Sequence, residues 1–419
     1  MGPLGHSLAA LSAVAAAPFG LLGLALRPSW RVGCAERLGW HPAGRRASPG
    51  PVWVHCASVG EVRAARSLLD ALADEGSPVV ASTVTTSGRD LLRSLRPGVP
   101  CGLAPLDHPW VVRHALGRVQ PAALVLVETE LWPCWIYAAA SRRVPVMVAS
   151  ARISDRSLPR YQRVGALLRP LLGCLAAVGA RTPADAARFV ALGVPEERVE
   201  VTGDLKLEPP AQPQTLAPAL DAVLANTPLL VAGSTHLGEE EVALDALDRA
   251  LAHGHSLALV LAPRHPERAG TVASRVARRG RAVHRRSRLG SEPLRAGEVL
   301  VLDSLGELPA VYGRALVAFV GGTLAPVGGH NLLEPVQQGI PALFGPHTEN
   351  ARSSAELLLR AGAGRRVTDA PDLANVVEEA LRDPAAWRAR AEAGHKALER
   401  HRGAAQRTVG LLERILAAC

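Results

Sequence analysis

Short runs of apolar residues recur along the chain, separated by longer stretches with helical spacing. They lie at 52–56, 79–83, 123–127 and 145–149 in the first half, and at 229–233, 257–262, 298–302, 316–320 and 341–344 in the second. Continuous apolar runs that alternate with helices are typical of parallel strands buried on both faces of a sheet. The pattern therefore predicts an α/β protein of two Rossmann-like, doubly wound domains.

The two series of strands are separated by residues 208–228, a stretch rich in Pro and Ala that we predict to be a linker. The expected domains are therefore 41–207 and 229–419. A lead-in of residues 1–40 precedes them.

The lead-in contains an uncharged stretch from Ser7 to Leu26, about as long as a helix that crosses a bilayer. Arg27, Arg31 and Arg37 follow it, and by the positive-inside rule they keep the rest of the chain cytoplasmic. Pro18 and the many alanines favour two alternatives, a helix that lies on the membrane surface and an ordinary buried first helix. We expect a membrane anchor on the cytoplasmic face.

Composition limits the possible partners. Aromatic residues make up 3% of the chain, too few for the stacking platforms that bind single-stranded nucleic acid. The formal net charge of +9 suits an anionic partner such as a phosphorylated lipid, a membrane surface or a nucleotide, although Arg-rich residue usage alone also explains it. The six cysteines are widely spaced and the histidines form no ligand motif, so we expect a reducing compartment and no metal site.

Three stretches share the pattern of a helix start: Ser58–Glu61, Ser304–Glu307 and Asn331–Glu334. A Ser or Asn followed by Glu three residues later predicts a capping box, which needs no further function. Two of these stretches directly follow predicted strands, and the third follows a glycine-rich turn. Because open α/β sheets bind ligands beyond the carboxyl ends of their strands, we also treat these residues as candidate site residues.

Glycine-rich turns in the second half favour close approach to a phosphate, at 233–236, 321–323 and 328–331. Glu239–Glu241 are expected only to complement a helix dipole, and His236 and His330 are expected to stand alone in separate loops. Arg264, in a turn after a predicted strand, can fork onto a phosphate or remain solvated. There is neither a Walker-type lysine motif nor a dinucleotide fingerprint after the first strand.

Two carboxylates, Glu128 and Glu130, follow the strand at 123–127. Carboxylates at the end of a buried strand are costly unless they are paired, and Lys206 is a candidate partner. Surface exposure of both acids is the alternative.

Several of these stretches, in their order and spacing, resemble the 3-deoxy-D-manno-octulosonic acid (Kdo) transferases. The resemblance extends to about Asn350 and rests on Ser58–Glu61, Glu128–Pro133, Ala149–Ser154, Gly233–Glu241, Pro263–Arg268, Ala318–Gly322 and Gly328–Pro335.

The resemblance implies a GT-B fold, with the acceptor on the N-terminal half, the donor CMP-Kdo on the C-terminal half and the chemistry in the cleft between them. Glu61 matches the general base, and Glu128 and Lys206 match positions credited with stabilising the transition state. The family's CMP-binding positions fall on Pro263, Arg264, Leu305, Gly306, Glu307, Asn331, Leu332, Leu333 and Glu334. Asp204 stands where we expect asparagine, which adds a negative charge near Lys206.

The expected reaction is an inverting transfer of Kdo to a lipid A precursor in lipopolysaccharide biosynthesis, without metal or cofactor, at the cytoplasmic face of the inner membrane. Two alternatives remain, because a fold does not fix a function. One is a GT-B transferase or epimerase that uses another nucleotide sugar. The other is a non-catalytic, membrane-bound protein that binds a nucleotide sugar.

Overall fold

The structure, a computed structural model, describes residues 32–41, 50–154, 157–208 and 215–418. These residues divide into two compact units. The N-terminal unit contains the described residues up to Glu208 together with those from Gly403 onward, and the C-terminal unit contains those between, through Arg402.

Each unit is built on a seven-stranded sheet. The strands in the described ranges are β1 Val52–Cys56, β2 Val79–Thr83, β3 Cys101–Leu103, β4 Ala123–Val127, β5 Val146–Ala151, β6 Ala177–Ala180, β7 Val199–Val201, β8 Leu229–Thr235, β9 Ala258–Pro263, β10 Val283–Arg285, β11 Val299–Val301, β12 Val317–Val320, β13 Ala342–Phe344 and β14 Gly364–Arg366.

Helices connect the strands and cover the sheets. Those in the described ranges are α1 Cys34–Arg37, α2 Val59–Ala64, α3 Arg66–Asp74, α4 Thr86–Leu95, α5 Pro109–Val119, α6 Pro133–Ser141, α7 Leu158–Arg163, α8 Gly165–Leu172, α9 Pro183–Ala191, α10 Pro218–Leu224, α11 Glu239–Ala252, α12 Ala269–Arg278, α13 Leu308–Tyr312, α14 Leu333–Gln337, α15 Arg352–Arg360, α16 Ala370–Arg382, α17 Pro384–Glu399 and α18 Ala404–Ala417.

The strands of both sheets run parallel, so the predicted doubly wound architecture is confirmed. The N-terminal sheet has the order β3-β2-β1-β4-β5-β6-β7, and its direction of winding reverses between β1 and β4. The C-terminal sheet has the order β10-β11-β9-β8-β12-β13-β14 and reverses between β8 and β12. In open α/β sheets, ligands bind beyond the carboxyl ends of the strands at such switch points.

The apolar run of β4 is buried at every position, as expected for a strand in the middle of a sheet. Leu124 and Leu126 pack on one face of the sheet in a cluster that includes Trp135 of α6. Val125 and Val127 pack on the opposite face in a cluster that includes Leu68 of α3. With helices on both faces no position needs to be polar, and each large side chain buried in this way contributes about 1.5–3 kcal/mol.

The unit boundaries differ from the predicted ones at two helices. Helix α18 belongs to the N-terminal unit, although residues 229–419 were predicted to form a single domain. Its buried Val409 and Leu412 pack in the same hydrophobic cluster as residues of α3. This packing of its apolar face is the reason why the helix belongs to the N-terminal unit. The predicted linker contains α10, which buries Leu220 and Val223 and belongs to the C-terminal unit.

No helix within the described ranges has both the length and the hydrophobicity of a transmembrane span. The anchor predicted at Ser7–Leu26 lies outside the described residues.

Candidate active site

Glu61 lies in the first turn of α2, just beyond the carboxyl end of β1. The predicted cap forms here, because the Ser58 hydroxyl accepts a hydrogen bond from the Glu61 amide at 3.3 Å. The carboxylate reaches back one residue further than a capping box requires. The Ala57 amide donates to Glu61 Oε2 at 2.6 Å, and the Ser58 hydroxyl donates to Oε1 at 2.8 Å.

Burial dominates the protonation of Glu61, whose exposed fraction is 7%. Loss of water raises the pKa of Glu61 to about 7, an effect opposed by the hydrogen bonds from Ser58 and Ala57 and reinforced by the negative charges of Glu130 and Glu128. A carboxylate with a pKa near neutrality can take up a proton in one step and release it in another.

Glu128 is the first residue after β4, and its backbone is left-handed with a φ of 62°. The strand therefore ends before the two acids, and the even spacing of Glu128 and Glu130 does not continue along a strand. The Lys206 ammonium forms an ion pair with Glu128 Oε1, which confirms the predicted pairing. Glu130 instead accepts a hydrogen bond from the indole of Trp132.

Arg181, which was not predicted, joins the acidic groups at this edge of the sheet. It follows β6 directly, is 5% exposed, and places Nη2 at 3.1 Å from Glu128 Oε1 and Nη1 at 3.1 Å from Asp204 Oδ2. Its Nε donates to the Ser150 carbonyl at 3.1 Å. Residues that follow β4, β6 and β7 thus form one charge network, to which β5 adds a backbone carbonyl.

Asp204, the expected departure from the family pattern, is 4% exposed and is balanced by Arg181. The Lys206 amide donates to Asp204 Oδ1 at 2.9 Å, while the Lys206 ammonium pairs with Glu128. The additional negative charge is therefore held by the buried arginine.

In the C-terminal unit, Glu307 precedes α13 and is held by Arg286. The guanidinium donates to both carboxylate oxygens, from Nη2 at 2.8 Å and from Nε at 3.0 Å, and the Ser304 hydroxyl also donates. These contacts with Arg286 lower the pKa of Glu307. Ser304 does not cap the helix, which begins only at Leu308, so this predicted capping box is wrong.

The pattern at Asn331 also gives a different structure from the predicted cap. Helix α14 begins at Leu333 without a side-chain cap, while Asn331 Oδ1 accepts from the Leu333 amide at 3.2 Å. The Asn331 amide group donates to Glu334 Oε1 at 3.1 Å. Leu332 and Leu333 are buried, whereas Asn331 is exposed and Glu334 half-buried.

Pro263 ends β9 and is buried, and Arg264 directly follows it with an exposed side chain. The Arg264 amide donates to the Thr235 carbonyl at 3.0 Å, which fixes the backbone of this turn beside β8. No acidic side chain of the described residues lies within ion-pair distance of Arg264. Leu305 is also exposed, and Gly306 has a φ of 87°, which favours glycine there.

Glu239 is a structural element of the turn after β12. Its carboxylate is 1% exposed and accepts from the amides of Gly322 at 2.7 Å and of Leu324 at 2.9 Å. Three further amides also donate to it, those of Thr323, Ala325 and His236. The prediction that Glu239 only complements a helix dipole is therefore wrong.

The neighbouring Glu240 is likewise buried and pairs with Arg268 at 2.9 Å. Its other contact is the Thr235 hydroxyl, which donates to Glu240 Oε1 at 2.9 Å. Two of the three glutamates therefore hold loops in place at the switch point.

The prediction that His236 and His330 each stand alone is wrong. Their Nε2 atoms lie 2.8 Å apart, with 5.1 Å between the ring centroids and 8° between the ring planes, so the two rings lie end to end with their Nε2 atoms facing each other. The loops after β8 and β12 bring them together at the switch point. Burial lowers the pKa of His236, and the nearby His265 and Arg268 lower it further, while Glu239 and Glu240 oppose the shift.

Comparison with known proteins assigns the chain to a family. Residues 33–208 match the family described as 3-deoxy-D-manno-octulosonic-acid transferase (kdotransferase). The 3-deoxy-D-manno-octulosonic acid transferase of Bordetella pertussis is 35% identical over 398 residues, which cover 92% of each chain. The chain belongs to the Kdo transferase family. A transferase of the same name from Haemophilus influenzae is 33% identical over 394 residues, again 92% of each chain.

Membership of the Kdo transferase family confirms the resemblance predicted from the motifs, and it makes the chain a glycosyltransferase. Solved structures of lower identity share its fold. MurG of Acinetobacter baumannii is 15% identical with a TM-score of 0.54, covering 87% of this chain and 100% of that one. The UDP-GlcNAc 2-epimerase of Neisseria meningitidis is 13% identical with a TM-score of 0.53 and the same coverage. The fold of this Kdo transferase family member is therefore GT-B-like.

Proposed function

We propose that this chain transfers Kdo from CMP-Kdo to a sugar hydroxyl of a lipid A precursor, with inversion at the anomeric carbon. The hydroxyl oxygen forms the new bond to that carbon as its proton passes to Glu61. The bond from the carbon to the phosphate oxygen breaks, and CMP leaves with the electron pair. In this proposal the chain is attached through residues 7–26 to the cytoplasmic face of the inner membrane, where its lipid acceptor lies.

The observation that carries the proposal is the environment of Glu61. Its carboxylate is buried at the carboxyl end of β1, next to the switch point of the N-terminal sheet, and its pKa is raised to about 7. A general base is most effective when its pKa lies near the working pH. Capping alone does not explain a raised pKa, since an exposed Glu would cap the helix equally well.

The charge network beside it supports a role in stabilising the transition state. Lys206 is one third exposed and Glu128 about one fifth, whereas Arg181 is buried behind them. The buried guanidinium fixes Glu128, and Glu128 in turn orients the Lys206 ammonium. Charges that are held in place before the reaction stabilise developing charge without reorganisation.

Donor binding is proposed for the C-terminal unit. Arg264 presents an exposed guanidinium at the carboxyl end of β9, which suits a phosphate. Glu334 suits hydrogen bonding to ribose hydroxyls. Glu307 is already held by Arg286 through both carboxylate oxygens, which makes it a poor ligand for Mg²⁺ and supports a metal-independent reaction.

The test is incubation of the purified protein with CMP-Kdo and a tetra-acylated lipid A precursor, followed by mass spectrometry of the lipid. We expect lipid that carries Kdo, together with release of CMP. Competition with other nucleotide sugars separates this function from transfer or epimerisation of a different sugar. Release of CMP and free Kdo without modified lipid would contradict the proposed acceptor, and an absence of turnover would favour a non-catalytic binding protein.

A further inference from the structure

We propose that His236 and His330 together bind an anionic oxygen of the donor substrate, either a phosphate oxygen or the carboxylate of the sugar acid. This inference rests on the proposed function and assigns two side chains in turns that the sequence analysis expected to approach a phosphate through their backbone. It follows from the distance between the two imidazoles and from the way in which Glu239 uses the nearby backbone amides.

The glycine-rich turn after β12 was expected to offer its amides to a phosphate. In the structure, four consecutive amides of that turn, from Gly322 to Ala325, donate to the buried carboxylate of Glu239. The Gly321 amide donates to the Gly233 carbonyl at 2.8 Å, and the Gly329 amide donates to the Gly322 carbonyl at 2.7 Å. These amides cannot bind an anion while they serve the fold, so an anion at this turn needs other donors, and nearby side chains can supply them.

His236 and His330 are the side chains that meet at this point. They follow β8 and β12, the two strands between which the C-terminal sheet reverses. Both are half-buried, so their polar edges are partly shielded from water without being sealed off. A hydrogen bond to an ionised group is stronger in such surroundings than in bulk water.

The 2.8 Å between the two Nε2 atoms requires that one donates and the other accepts. An anionic oxygen placed against both atoms can replace that contact with two hydrogen bonds. The accepting ring then moves its own proton to Nε2 or takes up a second one. Because the two Nε2 atoms face each other, each ring must turn for both to donate to one oxygen.

The charges around the pair favour an anion. Glu239 and Glu240 are the acidic groups near His236, and both are engaged, the first by five amides and the second by Arg268 and Thr235. His265 stands edge-on to His236, with 6.0 Å between the ring centroids. The positive charge of Arg268 also acts on His236.

The test compares His236→Phe and His330→Phe with the unaltered protein. Phenylalanine keeps a flat ring of similar size and removes the nitrogen donors. The control is His395→Phe, which removes an exposed histidine of the same unit that pairs with Glu399 on helix α17. The full-length protein is used throughout. Calorimetry gives affinities for CMP and for cytidine, and steady-state transfer gives KM for CMP-Kdo.

Loss of one hydrogen bond to a charged oxygen predicts a weakening of about 10- to 100-fold. If the oxygen belongs to the phosphate, CMP binds more weakly to both variants while cytidine affinity and the control are unchanged. If it belongs to the sugar carboxylate, CMP affinity is unchanged and KM for CMP-Kdo rises by that factor. Either result supports the pair as a binding site.

Two results would overturn the inference. In the first, both variants keep a CMP affinity and a KM for CMP-Kdo within about twofold of those of the unaltered protein. Such a change is far below that expected for a lost hydrogen bond to a charged group. The other is a parallel loss of CMP and cytidine affinity, which indicates that the pair only supports the loops. Failure of the proposed function is distinguishable, because the unaltered protein would then show neither CMP binding nor transfer.

Discussion

Replacement of Glu61 by glutamine tests the general base most directly. Glutamine keeps the size of the side chain; its one carbonyl oxygen can accept from the Ala57 amide and its NH2 group can donate to the Ser58 hydroxyl, but it cannot take up a proton. General base catalysis contributes roughly 10²- to 10⁴-fold to a rate. We therefore expect Glu61→Gln to lose at least a hundredfold in kcat while CMP affinity stays unchanged.

The raised pKa of Glu61 also predicts an effect on stability. Its pKa is about 7 in the folded protein against an ordinary value of 4.5. Since each pKa unit corresponds to about 1.4 kcal/mol, ionisation of this buried group costs the fold roughly 3 kcal/mol. The favourable contribution is complete below pH 4.5, where the carboxyl is protonated in both states, and it is lost as the pH rises through about 7.

The assay is urea unfolding at pH 4 and at pH 8, followed by tryptophan fluorescence, because Trp53, Trp132 and Trp135 cluster in the N-terminal unit. The free energy of unfolding of Glu61→Gln minus that of the unaltered protein should be larger at pH 8, by roughly 3 kcal/mol. Hydrogen bonds common to both pH values cancel in this comparison. In the unaltered protein, kcat/KM should rise with pH through about 7, as Glu61 loses its proton.

A stability difference that is the same at both pH values would refute the raised pKa, and with it the physical reason for choosing Glu61 as the base. Equal losses of stability and activity would return Glu61 to a purely capping role.

Three further predictions concern the C-terminal unit and the metal. Glu239→Gln places an NH2 group against at least one backbone N–H donor. It should lower the free energy of unfolding, measured with urea, by roughly 2–6 kcal/mol. A loss below about 1 kcal/mol would contradict the role of Glu239 in holding the loop. Arg264→Ala should weaken CMP binding by about 1.5–3 kcal/mol in calorimetry, and unchanged affinity would exclude the phosphate contact. Transfer should persist after exhaustive treatment with EDTA, whereas a rate that collapses and returns with Mg²⁺ would reassign Glu307 or Glu334 as ligands.

Strands rich in large apolar residues were predictable from the sequence, and those of small or polar residues were not. The predicted bounds of β1, β2 and β4 agree with the structure residue by residue. Strand β6 was missed, because its four residues, Ala-Val-Gly-Ala, have little preference for strand structure although all four are buried. Arg181 was missed for the same reason, since its role depends on its place directly after that strand.

Local capping patterns predicted the contacts of the site only in part. Ser58 caps its helix because α2 begins at the next residue. At Ser304 and Asn331 the helices begin later, so these side chains bond to the carboxylates of Glu307, which precedes its helix, and Glu334, which lies in the first turn of its helix, without capping either helix. Whether such a pattern forms a cap depends on the residue at which the helix begins after the preceding strand. That residue is set by the tertiary structure and not by the local sequence.

The roles of Glu239 and of the two histidines could not be predicted from the sequence for a different reason. Glu239 binds amides more than 80 residues away along the chain. His236 and His330 are separated by 94 positions. A single sequence contains no measure of distance between loops, so only the strand order shows that the turns after β8 and β12 meet.

The return of α18 to the N-terminal unit has a consequence for the order in which the protein folds during synthesis. The C-terminal unit is complete when the ribosome has reached Arg402, whereas the N-terminal unit still lacks its last helix at that moment. Until α18 is made, the surface that includes Leu68 of α3 remains uncovered. The half that is translated first is thus completed last, and loss of the chain after Gly403 would damage the unit that contains Glu61.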